Sequence, residues 1–94
     1  MPVGLLTLEI QLPYAHSLKE KRAVLQKLMN RLRARFNAAA AELDHQDVWQ
    51  RSTVAVVTVS SSQPAVESSL RRILEESEKI LGQDVASYSL DYFD

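Results

Sequence analysis

The chain has 94 residues, 46% of them hydrophobic and 24% charged, no cysteine, and a formal net charge of -1. A chain of this size hides only roughly 60 to 70% of its unfolded surface, which leaves apolar residues for one core, so a single domain over residues 1–94 is expected. Ordinary globular proportions exclude a fibrous or disordered chain, and the lack of cysteine excludes a disulfide framework, a thiolate metal site and a cysteine nucleophile.

The N-terminus, Met1-Pro2-Val3-Gly4, has no basic region ahead of its apolar run, and Thr7 and Glu9 interrupt that run. Neither a signal peptide nor a membrane span is expected, and the reading is of a soluble cytoplasmic protein. From Val3 to Leu12 the pattern becomes alternating, with Leu6, Leu8, Ile10 and Leu12 on one side and Thr7, Glu9 and Gln11 on the other, which predicts a half-buried strand ended by Pro13. Ser17 followed three residues later by Glu20 is a capping box, so a helix should start there. Leu18, Leu25, Leu28, Met29, Leu32 and Phe36 recur at helical spacing, and Asn37 can close the helix. Lys19, Arg22, Lys27, Arg31 and Arg33 spread over the opposite side as a basic solvent face. Lys21 falls near the apolar stripe, so its ammonium must snorkel past the helix start or meet a carboxylate or a ligand.

The run Ala38 to Leu43 favours helix by propensity, but the β-branched Ser52 to Ser61 follows after a short polar segment, and the pair reads as two antiparallel strands. Ser62, Gln63 and Pro64 open a second helix with Val66, Leu70, Ile73, Leu74 and Leu81 inward and Gly82 as its stop. Ala86, Tyr88, Leu90 and Tyr92 alternate with Ser87, Ser89 and Asp91 in a final strand. The order βαββαβ predicts an α+β, ferredoxin-like domain: a four-stranded antiparallel sheet with two helices on one face.

Charge is distributed unevenly along this chain. Residues 1–36 hold seven Lys or Arg against two Glu, whereas residues 63–94 hold three cations against seven acids. An anionic partner would therefore meet the first helix.

The segments LPYAHSLKEKR (Leu12 to Arg22), RFN (Arg35 to Asn37) and EL-DHQDVWQR (Glu42 to Arg51) resemble the YlxP-like family of small bacterial proteins over nearly the whole chain. The matching positions are His16, Ser17, Lys19, Lys21 and Arg22, then Asp44, His45, Gln46, Asp47, Trp49 and Gln50; where the family usually has a small residue this chain has Tyr14. The resemblance implies a ferredoxin-like fold and a cytosolic setting. Through gene neighbourhoods shared with transcription and translation factors it also implies a connection to RNA or the ribosome. It implies no particular biochemical activity.

His16, Asp44, His45 and Asp47 include metal-binding types, but their spacing matches no recognised metal pattern, and Asp in such loops ordinarily makes turn hydrogen bonds, so no metal and no cofactor is expected. His16 or His45 beside Lys21 and Asp47 could serve acid-base chemistry only if the two loops met, which the sequence leaves open. With two glycines, Gly4 and Gly82, there is no phosphate-binding loop, dinucleotide fingerprint or nucleophile elbow, and the balance is against an enzyme.

The leading expectation is a binding protein. Lys19, Arg22, Lys27, Arg31 and Arg33 would contact phosphates of ribosomal RNA or a ribosome-associated complex. His16, Lys21, Asp44, His45, Asp47 and Trp49 would form a second surface, with Trp49 able to stack on a base. The competing expectation is a homodimeric adaptor without nucleic-acid contact. Valines on both parities of the third strand, Val54 and Val56 against Val57 and Val59, predict burial on both sides of the sheet.

Overall fold

The computed structural model describes residues 1–94. Its elements are β1 (Val3–Gln11), α1 (Leu18–Arg35), β2 (Ala38–Asp44), β3 (Arg51–Val59), α2 (Gln63–Leu81), a short 3-10 turn (Gly82–Asp84) and β4 (Val85–Phe93). All pairings are antiparallel and the strand order is β2-β3-β1-β4, the ferredoxin-like topology.

The alternation in β1 sends Leu6, Leu8 and Ile10 under the helices, with Val56 opposite Leu6 and Val54 opposite Leu8 on β3. Leu25, Leu28 and Leu32 of α1 and Leu70, Ile73, Leu74 and Leu81 of α2 close the core from above. Gly4 marks the place where α2 crosses β1. A Cβ there would lie 2.7 Å from both Leu70 Cδ1 and Val66 Cγ1.

Both helices begin on serine caps. Ser17 Oγ accepts from Glu20 N at 3.1 Å, and the Glu20 carboxylate reaches back to His16 N at 2.8 Å; Ser62 Oγ accepts from Ala65 N. Gly82, at φ 58, ends α2 in the left-handed region that glycine adopts without a Cβ penalty.

The alanine run becomes β2 because pairing with β3 overrides its helical propensity. Ala38 and Ala40 pack half-buried against the core, while Ala39 and Ala41 stay on the open side.

The expectation of burial on both sides of the sheet is modified. Val54 and Val56 are buried, but Val57 and Val59 keep 37% and 39% of their surface exposed on the uncovered side of the sheet, because within one chain nothing lies over it. Tyr88, Leu90 and Tyr92 of β4 sit opposite Leu8, Leu6 and Gly4, on the helical side, yet remain exposed because α2 packs chiefly on β1.

Candidate functional site

The connection from β1 to α1 and the connection from β2 to β3 meet at one end of the sheet. Leu12 N donates to Gln50 O at 2.9 Å, and Gln50 Nε2 donates to Pro13 O at 3.2 Å and Ala15 O at 3.3 Å. Tyr14 adds a third element, its hydroxyl donating to Asp84 Oδ2 at 2.9 Å in the turn before β4. Burial and that carboxylate push the Tyr14 phenol above its ordinary value. Tyr14 is thus a tie between the first loop and the turn before the last strand.

Lys21 is the centre of this end. It is 1% exposed, and its Nζ donates to His45 O, to Val48 O at 2.7 Å and to Glu42 Oε2 at 2.8 Å. An ammonium has three donors, and all three are used. Glu42 lies opposite Val54, so it faces the helical side, and the irregularity between Glu42 and Asp44 turns the chain outward immediately afterwards. Ser52 Oγ donates to the same carboxylate oxygen at 2.7 Å. His45 adopts φ 64, which aims its carbonyl inward, where Val48 N and Lys21 both reach it. Lys21 is therefore committed to holding the 45–48 turn.

The remaining loop residues stay at the surface. His16 and Asp47 are exposed, Asp44 accepts from His45 N at 2.7 Å, and the His45 imidazole lies 3.9 Å from the Asp44 carboxylate. No group of three His, Asp or Glu side chains is gathered to hold a metal ion. Val48 and Trp49 project from the held turn, 43% and 49% exposed. The arrangement supplies an apolar tip on a turn held from inside by Lys21.

The basic residues of α1 divide into two flanks, with Ala23, Asn30 and Ala34 among the exposed positions between them. On the side toward β2, Arg33 donates through Nη2 to Ala40 O at 2.6 Å. On the side toward α2, Arg31 Nε and Arg35 Nη1 each bond one oxygen of Glu76 at 3.1 Å. Glu76 is almost buried, whereas the side chains of Arg31 and Arg35 are about half exposed, at 53% and 49%. Lys27, Asn30 and Arg31 with Glu76, Lys79 and Ile80 line the groove between the two helices. Lys19, Arg22 and Lys27 are exposed and enter no ion pair. Arg35, four positions after Arg31 on the same side of α1, joins the flank that faces the second helix.

The Arg31 hydrogen bond, helped by the charges of Arg35, Arg31 and Lys79 and opposed by desolvation, holds the Glu76 carboxyl below its ordinary value of 4.5. A lowered native value means that the pair's contribution to stability is full above 4.5 and is lost as pH falls through the native value. Urea midpoints at about pH 6 and about pH 3 should therefore differ less in Glu76→Gln than in the wild type, and an unchanged difference would show that Glu76 carries none of the acid sensitivity.

The same architecture occurs in proteins with unrelated tasks. The de novo designed protein Foldit4 superposes with a TM-score of 0.57 at 12% identity over 99% of this chain and 96% of its own. SnoaB, a cofactor-independent oxygenase from Streptomyces nogalater, superposes with a TM-score of 0.54 at 10% identity over 99% and 91%. At such identities the likeness is of fold alone. Residues 3–89 match the family model described as protein of unknown function (DUF503), and the chain belongs to that family. It is 45% identical over 60 residues to the uncharacterized protein YlxP of Bacillus subtilis strain 168, a match spanning 64% of this chain and 65% of that relative's length. No helix is long and apolar enough to cross a membrane.

Proposed function

We propose that the protein is a non-enzymatic RNA-binding module that grips phosphodiester backbone along α1, acting in the cytoplasm with ribosomal RNA or a translation-related complex. The observation that carries this reading is the incomplete neutralisation of α1. Lys19, Arg22 and Lys27 face solvent without a carboxylate partner, and Arg31 and Arg35 share the single charge of Glu76. Each guanidinium bonds Glu76 through one nitrogen and keeps other N–H groups for phosphate oxygens. Trp49 stands on the turn that Lys21 anchors, near the N-terminal end of the same helix, where it can stack on an unpaired base. The sheet does not compete for RNA: its open side carries Glu9 and Asp91 and no aromatic on the central strands.

The test uses exposed side chains that enter no ion pair, and circular dichroism of the variant checks that loss of binding is not loss of fold. In fluorescence anisotropy with a short unstructured RNA at low salt, the triple variant Lys19→Glu, Arg22→Glu, Lys27→Glu should bind at least ~10-fold more weakly than the wild type. Trp49→Ala should weaken binding by about 1 to 3 kcal/mol if a base stacks there. Absence of binding by the wild type in the same buffer would end the reading.

A further inference from the structure

We infer that β4 pairs edge to edge, antiparallel, with β4 of a second copy of this chain, about a two-fold axis at Leu90. The two edges of the sheet are treated differently. On β2 the Ala40 carbonyl is covered by the Arg33 guanidinium, and α1 lies over the inner side. On β4 no side chain bonds the outer backbone edge, and the side chains are covered only in part. Eight of its nine residues, all but Val85, are exposed, and its only strand neighbour is β1. Such an edge is ordinarily guarded by lysine, proline or an inward charge, none of which occurs from Val85 to Phe93.

The sequence of β4 is complementary to itself. Turned about Leu90, the strand places Tyr88 opposite the Tyr92 of the second copy, and Leu90 opposite Leu90, all on the helical side. These residues keep 51%, 38% and 36% exposure respectively in the single chain. On the other side Asp91, the one charged residue of the strand, falls opposite Ser89, so no like charges meet. The pairing would satisfy the free row of backbone N–H and C=O groups and bury an aromatic-aliphatic ladder continuous with the core beneath it. A two-fold axis makes the contact closed, giving a dimer with an eight-stranded sheet and not a filament. The α1 helices lie away from β4, so this inference stands independently of RNA binding.

Sedimentation equilibrium over a wide concentration range should give twice the 10.6 kDa chain mass at the upper end. The variant Y88K/Y92K, which sets like charges across the axis twice, should weaken dimerisation at least ~10-fold, and Y88K/Y92E, which sets opposite charges there, should recover most of it. Both tyrosines are substantially exposed, and circular dichroism with a thermal melt confirms that each variant remains folded. A wild type that is monomeric at every concentration overturns the inference, as does open-ended assembly. Equal behaviour of Y88K/Y92K and Y88K/Y92E overturns the Leu90 register. A dimer lost in Val57→Lys but kept in both tyrosine variants places the contact on the open face of the sheet instead.

Discussion

Lys21→Met is expected to cost the fold about 3 to 5 kcal/mol, the usual penalty for removing one partner of a buried ion pair. The methionine fills nearly the same space, so the loss is not one of packing. It leaves the Glu42 carboxylate, whose side chain is 17% exposed, with only the Ser52 hydroxyl, and deprives Val48 O of its donor. Adding Glu42→Leu should restore part of the stability, since an unpaired acid costs more than a missing pair, but the 45–48 turn would stay unanchored. Urea denaturation of the two variants checks both statements. A Lys21→Met protein within about 1 kcal/mol of the wild type would mean that water reaches the turn and that Lys21 is not its anchor.

Gly4→Ala is expected to destabilise by about 1 to 3 kcal/mol, through crowding and not through backbone strain. The new methyl would sit 2.7 Å from both Leu70 Cδ1 and Val66 Cγ1 and 2.9 Å from Leu70 Cγ, and both side chains are fully buried, so neither can swing aside without displacing its neighbours. Relief requires α2 to shift away from β1, which loosens the contacts of Leu70 and Ile73 below it. Gly4→Val should be worse, and the companion substitution Val66→Ala should recover part of the loss. A thermal midpoint for Gly4→Ala equal to that of the wild type would show that the helix has room to move.

Local signals in the sequence were sufficient for the fold. The alternation of Leu6, Leu8 and Ile10, the Ser17 and Glu20 cap, and Gly82 at the end of α2 each act over a few residues and each reappears in place. The alanine run was readable as a strand only through its β-branched neighbour, because its own propensity points the other way. The end of the sheet carrying the family motif was legible in part. Lys21 falls on the apolar side of its helix in any helical projection, so its ammonium must snorkel out or meet a carboxylate or a ligand, and that it meets Glu42 depends on how β2 pairs.

Long-range electrostatics was not legible. Glu76 lies 45 residues from Arg31 and 41 from Arg35, and nothing along the chain shows that the two helices bring them within 3.1 Å. A single basic stripe was therefore expected, where the structure has two flanks, one braced on α2 and the other reaching the edge of β2 through Arg33. The openness of β4 was hidden for a related reason. Its alternating pattern reads as half-buried, and only the packing of α2 on β1 reveals that the helical layer stops short of it.

The central claim, that α1 meets phosphodiester backbone, is tested most directly by the salt dependence of RNA affinity. If Lys19, Arg22 and Lys27 each displace a counterion, a plot of log affinity against log salt should fall with a slope of about -2 or steeper, on the rule of roughly 0.7 per phosphate contact for single strands. The same plot for the triple glutamate variant should be shallower by about 2, leaving only the slope that Arg31 and Arg35 supply. A wild-type affinity indifferent to salt, or no measurable affinity at the lowest salt, would contradict the account.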